Sequence, residues 1–145
     1  MNWKSTSQVS SLALRVPLGL TMVMIGISAY RDFAPFVANV TDGLGWASGI
    51  GYVYSFFLPA LLIFGGGLLA IGRYSYIAGI VGGIALGSIP LGLLLKNILT
   101  GIPLPDMMAA GYPSIVWLVA FYLALNRWPD VSEEVSSYPK TSENA

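Results

Sequence analysis

Histidine and cysteine are both missing from the 145 residues, and charge is scarce: seven Lys and Arg face seven Asp and Glu, 10% of the chain. Each shortage removes a class of function. Imidazole and thiolate are the usual ligands of haem, copper and catalytic zinc, so no metal site is expected. Histidine acid–base catalysis and the Ser-His-Asp and Cys-His nucleophile systems go with them. Without cysteine there is no disulfide and no thiolate-held iron–sulfur cluster. A formal net charge of zero with no basic run gives no electrostatic footprint for nucleic acid. No catalytic residue is assigned. Any chemistry would have to come from carboxylate, Lys, Arg or Tyr, or from a cofactor or partner.

What the chain does have is apolar surface: 55% of it is hydrophobic, with a mean hydropathy of +0.71. A soluble domain carries about 25% charged residues to solvate its exterior, so a lipid bilayer is the expected solvent. At about 1.5 Å of rise per residue, roughly 20 apolar residues cross a ~30 Å hydrocarbon core. Four stretches have that length: Val9 to Tyr30, Ile50 to Ile71, Ile77 to Leu95 and Met107 to Leu125. Backbone groups in hydrocarbon must be satisfied internally, which makes each stretch a helix. The expected fold class is all-α, a transmembrane four-helix bundle over residues 1–128. The first stretch runs too far for the apolar core of a cleaved signal peptide and reads as a retained helix.

The connections differ in kind. Between Arg31 and Gly49, the segment from Pro35 to Val40 is apolar enough to lie in the interface as a short helix. The link from Gly72 to Tyr76 is short and makes the second and third helices an antiparallel hairpin. Lys96 to Asp106, with Gly101, Pro103 and Pro105, reads as a turn-rich loop. Residues 129–145 are polar and acidic and are expected to form a disordered cytoplasmic tail.

Orientation follows from the basic flanks. Lys4, Arg73, Arg127 and Lys140, with Arg15 just inside the first helix, fall on the side of the termini; Arg31 and Lys96 fall on the other. The positive-inside bias then places both termini in the cytoplasm, in the plasma (inner) membrane. Trp3, Trp46, Trp128, Tyr30, Tyr52, Tyr74, Tyr76 and Tyr112 cluster near helix ends, where amphipathic rings anchor a bilayer protein.

Within the spans, three kinds of residue stand out. Gly79, Gly83 and Gly87 recur every four residues on one face of the third helix, and Gly65, Gly66, Gly67 and Gly72 punctuate the second. Such faces let backbones approach closely. Either the two helices pack on each other within the chain, with Gly66, Gly67, Gly79, Gly83 and Gly87 in the seam, or the row meets another subunit or a flat ligand. Pro17, Pro59 and Pro90 lie inside helices, and Pro90 with Gly92 is the expected kink or hinge. Arg15 is the deepest charge, and no span contains an acidic residue to neutralise it. It either snorkels to headgroups or turns into the bundle to hold an acceptor or anion. On the opposite side, Arg31, Asp32, Lys96, Asn97 and Asp106 lie at similar depth. They are candidates for a polar mouth contacting a ligand or a partner, with too few carboxylates for a metal.

Several of these stretches together resemble the DoxX family of four-helix membrane proteins. The likeness is carried by Ala13 to Phe33, by Asn39 to Gly45 and by Phe64 to Gly79, within a similarity running from Leu12 to Lys96. Arg15 and Gly19 fall where that family has an arginine and a following glycine. Gly66, Gly67, Gly72 and Arg73 fall at its glycine-rich hairpin. The His-Gly or Gly-x-x-Lys group that often ends the family's first helix is not kept; Gly26 and Arg31 stand nearest to it. The resemblance implies a small subunit or accessory protein of a membrane redox system, with quinone as the implied small molecule. The expectation is therefore a non-catalytic subunit of a larger, quinone-linked complex, assembled with other membrane subunits or with copies of itself. A stand-alone quinone-binding oxidoreductase and an oligomeric carrier of small molecules or lipids are the competing readings.

Overall fold

The computed structural model describes the backbone of residues 6–72 and 74–126. The expected disordered tail, and Trp3, Lys4, Arg73, Arg127, Trp128 and Lys140 from the orientation and belt arguments, lie outside the described residues. The chain is an all-α bundle of α1 (Thr6–Arg31), α2 (Phe33–Thr41), one 3-10 turn (Gly45–Ala47), α3 (Ser48–Ile71), α4 (Ser75–Thr100) and α5 (Leu104–Asn126). Four of these helices are long and apolar enough to cross a membrane. The protein is a multi-pass membrane protein, with α2 as the short helix expected in the first loop.

The spanning helices form a ring. α1 packs most heavily on α3, α3 on α4 and α4 on α5, while α1 and α5 close the ring lightly. Met22 fills the middle with no exposure, alongside Leu69, Leu62, Ala85, Phe121 and Ala124. The outside is just as apolar. Ile50, Phe57, Leu91 and Val116 are each more than half exposed, a pattern that water would penalise and lipid accommodates.

Glycine sets two of the seams. A methyl group built on Gly19 would stand 2.5 Å from the carbonyl oxygen of Gly66, and one on Gly66 would stand 2.6 Å from that of Gly19. Hence α1 and α3 touch backbone to backbone. A methyl on Gly65 would meet Gly82 Cα at 2.9 Å, so the α3–α4 hairpin closes through Gly65 and Gly82. Of the two alternatives for the glycine row, packing of Gly79, Gly83 and Gly87 on α3 is not the arrangement found. Gly66 faces α1, Gly79 and Gly83 face α5, and positions 67 and 87 have open space where a Cβ would be. The cause is helical geometry: Gly82 is rotated about 100° from Gly83, which lays its backbone against Gly65 while its own Cβ position meets Phe121 of α5 at 2.5 Å.

The helix ends also differ from expectation. α4 runs past Leu95 to Thr100, so Lys96 and Asn97 ride on its last turns rather than in a loop. Gly101 ends it in the left-handed region at φ 66 and returns its amide to Asn97 at 3.0 Å. Asp106 belongs to the first turn of α5, where a carboxylate suits the positive end of the helix. Pro113 joins Pro17, Pro59 and Pro90 as a fourth proline within a spanning helix.

Candidate functional site

The side of the bundle where α1 begins and α3 turns into α4 holds Arg15. α3 stops at Gly72, whose φ of 78 is left-handed and whose amide bonds Leu68 O at 3.1 Å. A Cβ on Gly72 would stand 2.6 Å from Arg15 Nη2 and 2.8 Å from Cζ, so the guanidinium lies flat on that glycine. Arg15 is half-buried, and its Nε is shielded from solvent. The last carbonyls of α3 form the negative end of the helix dipole. The guanidinium therefore lies beside that terminus.

On the α2 side the predicted mouth does not close. Lys96 Nζ donates to Asn39 O at 2.7 Å, and Asn97 Nδ2 donates to Ile102 O. Arg31, Asp32 and Asp106 are exposed, and Asp32 precedes α2 without a side-chain capping bond. These residues share one end of the bundle, where Lys96 uses one of its three donors, and Asn97 one of its two, on a backbone carbonyl. Among the described residues no group of three metal-ligating side chains forms. What the arrangement does is mechanical: Lys96 clips α4 to α2, and Gly43 seats against Thr100 beside it.

Aromatic rings lock the same end. Tyr30 donates its hydroxyl to Phe56 O at 2.7 Å. Its ring lies 6.3 Å from Phe33 and 6.2 Å from Phe56, and Phe33 lies 6.2 Å from Tyr52. One cluster thus ties α1, α2 and α3.

Two features rest on side chains that were not singled out as site residues in the sequence, although Gly79 and Gly83 beside one of them were. The first is a hydroxyl relay in the α3–α4 seam. Ser88 Oγ donates to Ala85 O at 2.8 Å; with its proton used there, it accepts from the Tyr54 hydroxyl at 3.0 Å. The second is a pair of open clefts on the flanks of α5. One, of about 430 Å³, lies against α4 and is lined by Gly79, Gly83, Leu118, Phe121, Tyr122 and Leu125. The other, of about 420 Å³, lies against α1 beside Pro17, Thr21 and Trp117. The signal was present: Tyr54 and Trp117 sit well inside their spans, where a bilayer-anchoring role does not apply.

Comparison with protein families, with curated proteins and with solved structures finds no match to this chain.

Proposed function

We propose that the protein is a non-catalytic subunit of a larger membrane assembly, seated in the plasma membrane with both termini cytoplasmic. The observation that supports this most is the glycine row of α4. A methyl on Gly79 would only graze Leu125 at 3.4 Å, one on Gly83 would reach Phe121 at 3.9 Å, and one on Gly87 would meet nothing within 4 Å. Glycine inside a helix costs about 1 kcal/mol relative to alanine. At Gly87 no contact among the described residues offsets that cost. Close approach of a helix from another subunit does. The narrower form of the proposal, that the assembly is quinone-linked, draws its support from the DoxX resemblance. Ser55, Ser88 and Ser114 donate to backbone carbonyls within their own helices.

Extraction into styrene–maleic acid particles, followed by native mass spectrometry and quinone analysis, tests it. A particle well above the 15.4 kDa of one chain, containing other subunits, is expected. Gly87→Leu should release the chain from it with helical content unchanged. A chain that runs alone with bound quinone would favour the stand-alone oxidoreductase. A particle containing only this chain would make it a homo-oligomer.

A further inference from the structure

The hydrophobic core stops short of one end of the bundle. It takes Ala85 and Leu86 from α4 and Phe121 and Ala124 from α5, and the partly buried residues packed on it end at Ile89 and resume at Trp117. Residues 91–112, between them, give nothing to that core, and among the described ones Gly111 alone is buried. This piece is a hairpin with a proline at each root. At about 1.5 Å per residue, Pro90 lies about 15 Å before the end of α4 at Thr100, and Pro113 about 14 Å after the start of α5 at Leu104. The two prolines therefore stand at one level. Each removes an amide from its helix, and each has beside it a serine that bonds back along the same helix. Ser88 Oγ donates to Ala85 O at 2.8 Å and Ser114 Oγ to Gly111 O at 2.7 Å. Proline and back-bonding serine both bend helices. The tip of the hairpin is tied to itself: Asn97 Nδ2 donates to Ile102 O, Thr100 Oγ1 to Lys96 O at 2.7 Å and the Asp106 amide to Pro103 O at 3.2 Å. Among the described residues, its one hydrogen bond to an element other than α4 and α5 runs from Lys96 Nζ to Asn39 O.

We propose that residues 91–112 are a lid that swings as one piece on Pro90 and Pro113 and is latched to α2 by Lys96. The lid has something to cover. A Cβ on Gly92 would stand 3.9 Å from Tyr54 Oη, and that hydroxyl pairs with Ser88 Oγ at 3.0 Å. Opening carries Gly92 off the pair and gives water, or a small hydrogen-bonding solute, a path to two hydroxyls within the span. The motion takes no residue out of the core. Apolar contacts that the lid gives up pass to lipid tails, which are as apolar as the side chains they replace. The Lys96 bond therefore weighs heavily in holding the lid shut. The inference is independent of the subunit reading, whose glycines lie on the other side of Pro90.

The chain has no cysteine, so Gly92→Cys in phosphatidylcholine vesicles places a single thiol beside Tyr54. A charged, water-soluble methanethiosulfonate, supplied on both faces of the membrane, reaches it only through water, because hydrocarbon excludes the charge. Slow modification is expected. Lys96→Met should speed it about tenfold, the low end of the worth of a hydrogen bond from a charged donor, and Lys96→Arg should leave it near the original rate. Pro90→Ala with Pro113→Ala returns the two amides and should slow it. Ala124→Cys, fully buried on the core side of the hinges, should stay unmodified in every background. If circular dichroism shows that Gly92→Cys does not fold, Ser88→Cys reports on the same hydroxyl pair. A rate unmoved by Lys96→Met would overturn the proposal, and so would a rate unmoved by the two proline substitutions. Equal acceleration at Ala124→Cys would also overturn it, by showing that the whole bundle loosens when Lys96 is replaced.

Discussion

Arg15 and Gly72 are fitted to each other: the guanidinium occupies the space that a side chain at position 72 would need, 2.6 Å from where its Cβ would be. The relationship joins two problems of membrane folding. α3 must end, leaving carbonyls without amide partners, and α1 carries a cation at depth, which costs about 2.5–3.5 kcal/mol at a helix centre on insertion scales and less near an end. Placing the cation on the helix end answers both, and only glycine leaves room while accepting a φ of 78.

Gly72→Ala should therefore lower stability by about 1–2 kcal/mol from left-handed strain alone, and by more because the guanidinium is displaced. Denaturation with SDS, followed by circular dichroism, reads the loss. In an Arg15→Ala background the same substitution should cost only the strain. Equal costs in the two backgrounds would show that the pair does not interact.

The absence of cysteine makes the orientation simple to measure. Trp46 is 87% exposed on the α2 side and Tyr76 is 79% exposed beside the α3–α4 turn. With cytoplasmic termini, Trp46→Cys should react with a membrane-impermeant maleimide in intact cells, and Tyr76→Cys only after permeabilisation. The reverse pattern would invert the protein in its membrane.

The four spans were legible because bilayer thickness converts directly into run length, and α2 because its apolar stretch was too short to cross. Helix neighbours were harder to read. The row Gly79, Gly83, Gly87 is conspicuous in sequence, yet the α3–α4 seam uses Gly82, one residue away and about 100° around the helix. Spacing gives a face but not the azimuth at which a neighbour meets it. In the same way, shared depth grouped Lys96 with Arg31 and Asp106, but depth is one coordinate. The α4 helix, prolonged to Thr100, carries Lys96 to Asn39 instead.

The Tyr54–Ser88 relay should be worth little in stability and more in register. Interhelical hydrogen bonds in membrane proteins average about 0.6 kcal/mol. A double-mutant cycle with Tyr54→Phe and Ser88→Ala should return a coupling of about that size. A coupling near zero would show that the two hydroxyls are satisfied independently.

Phe121 and Gly82 make the sharpest packing prediction. The Phe121 ring lies 2.5 Å from where a Gly82 Cβ would be and is only 2% exposed. Phe121→Ala should cost about 3–5 kcal/mol, because α5 loses its main knob and the cleft it shares with α4 enlarges. Gly82→Ala alone should also destabilise, since the added methyl drives the ring out. In the Phe121→Ala background, however, that methyl enters vacated space and the helix gains about 1 kcal/mol of propensity. The sign of the Gly82→Ala effect should therefore reverse between the two backgrounds when SDS denaturation midpoints are compared. If Gly82→Ala destabilised both equally, the Phe121 ring would not be what opposes the methyl, since the next neighbour, Met22 Cε, lies at an ordinary contact distance of 3.5 Å.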